Sequence, residues 1–178
     1  EEDFETAVHD YLKKLLREHE RIIFNGNGYG KEWVEEAKRR GLPNHPSMVD
    51  AISALTTKKS IDLFSSFGIY TETELRSREL VEYEHYSKVI SIEGRAMVNI
   101  SGKQIIPAAI RFVQNLAESL NAVKAASPKA STYAQEKLLN RASQYLEDME
   151  KAREKLLQHL EEAAEVLEEK EKAFFFHK

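Results

Sequence analysis

Histidines and a glycine-rich stretch are the residues here whose types could do chemistry. A metal site would draw on His9, His19, His45, His85, His159 and His177. A helical zinc motif needs two imidazoles four residues apart on one face. His19-Glu20 is not followed by a second histidine at that distance, and no other pair has metal spacing, so surface or interfacial histidines are expected. An anion site would draw on Asn25-Gly26-Asn27-Gly28-Tyr29-Gly30 before a helix, because glycine nests and helix N-termini present backbone amides to anions. No Walker lysine pattern accompanies it and no parallel-sheet unit surrounds it. The expectation is a plain connecting loop.

Glu93 and Gln104 fall near an apolar helical stripe, where an uncompensated carboxylate is costly. A structural pairing of Glu93 with Arg95, with Arg153 or with a neighbouring subunit is the favoured reading over a reactive carboxylate. The acidic and basic runs from Glu147 to Lys172 form a solvated helix face with supporting pairs one turn apart. No residue is assigned a catalytic, cofactor-binding or metal-binding role. There is no cysteine, so disulfide and thiolate chemistry are not available. A net charge of −4 and a pI near 5.9 disfavour nucleic acid and anionic membranes as partners. No apolar run approaches the roughly 20 residues of a bilayer-spanning helix. A cytoplasmic location is expected.

The elements that would position these residues are helical throughout. Phe4, Val8, Leu12, Leu15 and Leu16 recur at helical spacing from Asp3 to about Glu20. The glycine-rich loop stops that pattern. A short helix follows from Lys31 to about Arg40, presenting Trp33, Val34 and Ala37, and ends in the glycine-then-proline order of Gly41 and Pro43. Ser47 can cap the next helix, which holds Val49, Ala51, Ile52 and Leu55, and a further turn carries Ile61, Leu63, Phe64 and Phe67 before Gly68.

Thr71-Glu72-Thr73-Glu74 has the form of a capping box and opens a long helix. Its expected stripe is Leu75, Tyr83, Ile90, Met97, Ile100, Gln104, Ala108, Phe112, Leu116 and Val123, with a bend near Pro107. A short turn at Ser127-Pro128 leads to a second long helix. There Leu139, Ala142, Leu146, Met149, Leu156, Leu160, Ala163 and Leu167 follow heptad steps, and Arg153 breaks them where a partner carboxylate or an open seam would sit. So short a turn makes the long helices antiparallel neighbours. The expected fold is all-α, with small helices over 1–70 as a base and a long antiparallel hairpin over 71–178. The first residues, Glu1-Glu2-Asp3, and the last, Phe174-Phe175-Phe176-His177-Lys178, suggest a piece cut from a longer polypeptide. The three phenylalanines should pack on this domain or begin a further element.

The run Arg21-Ile22-Ile23-Phe24-Asn25-Gly26-Asn27-Gly28-Tyr29, with Glu32-Trp33, Glu36-Ala37 and Arg40-Gly41-Leu42-Pro43-Asn44, resembles the C-terminal part of type III glutamine synthetases. The likeness continues through Val49-Asp50-Ala51, Glu74-Leu75, Ser77-Arg78, Ile90-Ser91-Ile92-Glu93, Gln104-Ile105-Ile106-Pro107-Ala108 and Leu116-Ala117-Glu118-Ser119-Leu120-Asn121. It covers most of residues 4 to 126, whereas the part from Pro128 rests mainly on the heptads. The resemblance implies that residues 1–70 close a catalytic domain and that 71–178 belong to the type III C-terminal domain, continuing past Lys178.

For the full-length parent the resemblance implies ATP-dependent joining of glutamate and ammonia, with ATP and Mg²⁺ or Mn²⁺ as cofactors, within large ring oligomers. The family's metal-binding glutamates, its nucleotide-contacting arginines and its asparagine-lysine-phenylalanine-glutamate-phenylalanine-arginine motif have no matching positions here. The stretch itself is therefore expected to be inactive, to bind no cofactor, and to serve assembly with the rest of the same polypeptide and neighbouring subunits of a homo-oligomer. The alternative is a free-standing helical-hairpin scaffold that binds a partner helix.

Overall fold

Thr71 and Glu74 begin the longest element in the way their spacing predicts. In a computed structural model describing residues 3–177, the Thr71 side chain accepts from the Glu74 amide at 3.3 Å, and the Glu74 carboxylate accepts from the Thr71 amide at 2.8 Å. The described residues are helical with no strand, so the fold is all-α. They divide into two compact units, 1–50 and 51–178.

The first unit holds helix α1 (Phe4–Glu18), a short 3₁₀ turn (Glu20–Ile22), helix α2 (Lys31–Arg39) and the start of helix α3 (Met48–Ile52). α2 ends on Gly41, whose φ of 69° is one that L side chains rarely adopt. There the Leu42 amide donates to the Ala37 carbonyl at 2.9 Å and the Gly41 amide to Lys38 at 3.1 Å, the paired bonds of a Schellman end. Ser47 caps α3 as expected, its hydroxyl accepting from the Asp50 amide at 3.1 Å and donating to the Asp50 carboxylate at 2.7 Å.

In the second unit a 3₁₀ turn (Ser53–Thr56) and helix α4 (Lys58–Ser66) precede helix α5 (Glu72–Ile100). A π-helical turn (Ser101–Ile105) carries α5 without a break into helix α6 (Ile106–Ala126). At about 1.5 Å per residue this continuous rod is on the order of 80 Å long. Helix α7 (Tyr133–Glu165) returns along it, and helix α8 (Glu169–His177) folds back onto α5. The register is antiparallel. Lys124 meets Glu136 at 2.7 Å near the turn, Gly102 lies against Arg153 in the middle, and Gly94 lies against Leu160 near the other end.

The π turn bears on two expectations about the rod. Where the bend is expected, Pro107 lies in the first turn of α6 with the π turn just before it, and the helix continues without a break. A proline has no amide for the preceding turn and its ring crowds the carbonyl four residues back, which here is that of Lys103. Widening that turn to the π form removes the conflict.

The second concerns phase. The residues facing α7 advance in steps of four, through Ile90, Gly94, Val98, Gly102 and Ile106, all buried or half-buried. Steps of four drift around an ordinary helix, and the residue inserted in the π turn offsets that drift between Val98 and Ile106. The expected stripe holds only in part: Leu75 and Tyr83 are buried and Ile90, Leu116 and Val123 half-buried, whereas Met97, Ile100 and Phe112 are 63, 44 and 53% exposed and Gln104 and Ala108 are exposed.

The core of this unit sits where α5, α7 and α8 meet. Tyr83, Leu160, Ala163 and Ala173 are buried there, and Leu75 is buried in the first turn of α5. Glu79 ties three elements together, accepting from the Thr56 hydroxyl at 2.9 Å and pairing with Lys170 at 3.7 Å. Phe174, Phe175 and Phe176 are half-buried on α8, with Phe174 beside Tyr83 at 6.1 Å and Phe175 beside His159 at 6.3 Å. Of the two fates expected for these aromatics, packing on the domain is the one observed.

Candidate functional site

The glycine-rich loop uses its amides internally. The Tyr29 amide donates to Asn27 Oδ1 at 3.0 Å and the Gly30 amide to the Asn27 carbonyl at 3.0 Å. Phe24 stacks on Trp33 with ring centroids 4.5 Å apart and folds so closely over Gly26 that a Cβ there would lie 2.4 Å from the ring. Glycine is needed at 26 for this contact. At Gly30 a Cβ would meet Glu32 Oε2 at 2.5 Å, so a carboxylate stands where an anion would approach. The arrangement is that of a connecting loop.

What holds the loop is Arg40, which spacing alone did not single out. Its Nη1 donates to the carbonyls of Glu20 at 3.3 Å, Arg21 at 3.2 Å and Ile23 at 2.5 Å. Its Nε donates to Glu36 at 2.5 Å, and Arg39 grips the same carboxylate through two bonds of 2.7 and 2.5 Å. Hydrogen bonds from Arg39 and then Arg40 hold the Glu36 carboxyl down at about 2. The i, i+3, i+4 placement of Glu36, Arg39 and Arg40 was visible in the sequence; the carbonyls they reach were not.

Arg153, at the heptad break, finds its carboxylate on its own helix. Its Nε donates to Glu150 at 2.8 Å and its Nη2 bonds the same group, which lowers the Glu150 carboxyl and raises the guanidinium above its usual value. Glu93 is exposed and has no ion-pair partner among the described residues, which corrects the pairing expected within the chain. Between α7 and the π turn lies an open groove of 1030 Å³, floored by Val98, Ile106, Leu146 and Leu157 and rimmed by Arg95 and Lys103.

The histidines stand apart. His9 pairs with its neighbour Asp10 at 3.1 Å, and His159 with Glu162 at 3.2 Å. Among the described residues no group of three or more His, Cys, Asp or Glu could hold a metal, and no helix is long and apolar enough to cross a membrane.

A model of the glutamine synthetase C-terminal domain matches residues 7–124, taking in α1 through nearly all of α6. The chain belongs to this family. It is 38% identical over 119 residues to a type-3 glutamine synthetase of Dictyostelium discoideum, covering 67% of this chain and 16% of that protein. It is 38% identical over 119 residues to a glutamine synthetase of Butyrivibrio fibrisolvens, covering 67% and 17%. A glutamine synthetase of Bacteroides fragilis (strain YCH46) is 34% identical over 120 residues, covering 67% and 16%. The chain thus aligns with about a sixth of the length of the curated relatives it matches. The family match includes the loop, the Arg40 clasp, the capping box and the π turn, and leaves α7 and α8 outside it.

Proposed function

We propose that this chain is the helical C-terminal region of a type III glutamine synthetase, a glutamate-ammonia ligase that forms glutamine with ATP in nitrogen assimilation. The observation that carries the reading is the family match over residues 7–124, with relatives named as glutamine synthetases. In this reading the region supplies no group to the reaction. ATP and Mg²⁺ or Mn²⁺ belong to the rest of the parent polypeptide, in the cytoplasm, and residues up to about 70 close its catalytic domain. The long-helix part joins subunits of the homo-oligomer.

The side-chain chemistry supports this division of labour. The carboxylates with strongly held partners, Glu36 and Glu150, are engaged by arginines of their own helices, which suits structural ties rather than metal ligands. The test is to compare the parent enzyme with a version lacking residues 71–178, measuring glutamine formation and sedimentation together. The shortened parent should lose assembly, and the 178-residue chain alone should form no glutamine with ATP, glutamate, ammonia and magnesium. Turnover by the chain alone, or unchanged assembly of the shortened parent, would overturn the reading.

A further inference from the structure

Arg153 stands in the long-helix seam where the heptads call for an apolar residue, and its pair with Glu150 uses only part of it. Its stem lies across Gly102, with Cδ 3.7 Å and Nη1 3.8 Å from where a Cβ there would stand. Nε and Nη2 are committed to Glu150, which leaves the Nη1 hydrogens without an acceptor among the described residues, although the side chain is only 24% exposed. A largely covered donor of this kind takes its acceptor from water or from a ligand.

Further donors line the same groove of 1030 Å³. Arg95 and Asn99 on α5 and Lys103 in the π turn stand along one rim, across from Arg153 on α7. No Asp or Glu lies three or four residues from Arg95 or Lys103, and neither cation has an ion-pair partner among the described residues. The carboxylates of the groove, Glu147 and Glu150, are bonded to Lys151 and Arg153. On its other side Arg95 borders Glu169, which is paired with Lys172 at 3.0 Å. Four cations against two carboxylates leave the groove a surplus of two positive charges, in a chain whose net charge is −4.

The surplus lies at one end. Because α7 runs antiparallel, Glu150 and Glu147 fall beyond the Gly102–Arg153 level toward Ile110, where Ile106, Ile110 and Leu146 supply an apolar wall. An acidic helix filling the whole groove would meet Glu147 and Glu150, and a basic one would meet Arg95 and Lys103. A small anion needs only the Arg95–Lys103 end, and an apolar body attached to it reaches the wall. From Lys103 to Ile110 is two helical turns, about 10 Å, the length of a medium acyl chain. An apolar surface with a few converging polar groups between the helices of a bundle is the usual form of a small-molecule site.

We propose that this groove binds a small amphipathic anion. Its carboxylate or phosphate is held by Arg95, Lys103 and the Nη1 of Arg153, and its apolar body lies over Ile106, Ile110 and Leu146. The site stands independently of the assembly reading.

Calorimetry of the 178-residue chain with octanoate, octyl phosphate and octyl glucoside, each below its micelle-forming concentration, tests the site. At least one of the two anions should bind, and the tighter one names the head group. Octyl glucoside lacks the charge and inorganic phosphate lacks the body, so each should bind at least about tenfold more weakly. Arg95→Gln combined with Lys103→Gln should cost the anion at least about tenfold in affinity, and Ile110→Ser should weaken it several-fold. All three positions are exposed, so helical circular dichroism should not change. Lys155→Gln removes a charge from α7 outside the groove and should leave the affinity as it is. No heat with either anion at millimolar concentration, octyl glucoside bound as tightly as the anions, or undiminished binding by the double variant would overturn the proposal. An equal loss in Lys155→Gln would overturn it too, since the attraction would then be to charge in general.

Discussion

The two compact units of this chain are held by different physics. In residues 1–50 one guanidinium gathers three backbone carbonyls and a carboxylate, while α1 buries none of its residues. In residues 51–178 the ties are mostly steric. Gly94 lets α7 approach until Leu160 fills the space a side chain would take, and Tyr83, beside Phe174 of α8, is fully buried, as are Leu75 and Ala173. The first arrangement depends on charge and solvent conditions; the second depends on volume. A substitution that keeps charge but adds volume should therefore separate them.

Gly94→Val is the strongest such test. Its Cβ would lie 2.9 Å from Leu160 Cδ2 and 3.3 Å from Cδ1, and Leu160 is itself only 3% exposed, so the clash has nowhere to relax. Overpacking of this kind costs about 3 kcal/mol. Urea unfolding followed by helical circular dichroism should show the loss, and an unchanged midpoint would mean that volume does not limit this seam.

Next in size is Arg40→Ala, aimed at the other unit. Trp33 is the chain's single tryptophan and stacks on Phe24, so its fluorescence reports the first unit. Removing the clasp leaves the Ile23 carbonyl without its 2.5 Å donor and should destabilise that unit by about 2 kcal/mol. The fluorescence transition should move while the α5–α7 transition stays. Coincident movement of both would erase the contrast between the units.

How legible each unit was in the sequence follows from the same difference. Local chemistry reads directly: the Thr71–Glu74 box, the Ser47 cap, the Gly41 stop and the turn at Ser127-Pro128 all follow from residues within a few positions of each other. The family was carried by such local runs too. Periodicity read the long helices and their heptads, but it assumes a constant pitch. One inserted residue in the π turn shifts every position after it, which is why Phe112 looked like core and is exposed, whereas Met97 and Ile100 precede the turn and lie off the four-residue line of Gly94, Val98 and Gly102.

Backbone partners leave no sequence signal at all. Nothing in the identity of Glu20, Arg21 or Ile23 tells that their carbonyls receive Arg40. The fold-back of α8 was open for a related reason: three phenylalanines demand burial without naming the surface that provides it.

Acid should expose the charged unit first. Glu36 has a folded pKa of about 2 against an ordinary 4.5, so its ionised form is the one the fold favours. Its contribution is complete above the ordinary value and is lost as pH falls from about 4.5 toward 2. Trp33 fluorescence should show the first unit loosening across that window, and Glu36→Gln should flatten the dependence. A variant as acid-sensitive as the wild type would remove Glu36 from the account.

The smallest effect is expected where the two long helices touch without crowding. A Cβ at Gly102 would meet Arg153 at 3.7 to 3.9 Å, which is ordinary contact, and Gly102 does not need a positive φ. Alanine is a better helix former than glycine by up to about 1 kcal/mol, so Gly102→Ala should be neutral to slightly stabilising. The comparison with Gly94 is then internal to one seam. If Gly102→Ala instead destabilised as strongly as Gly94→Val, the cause would be the backbone of the π turn rather than steric approach of α7.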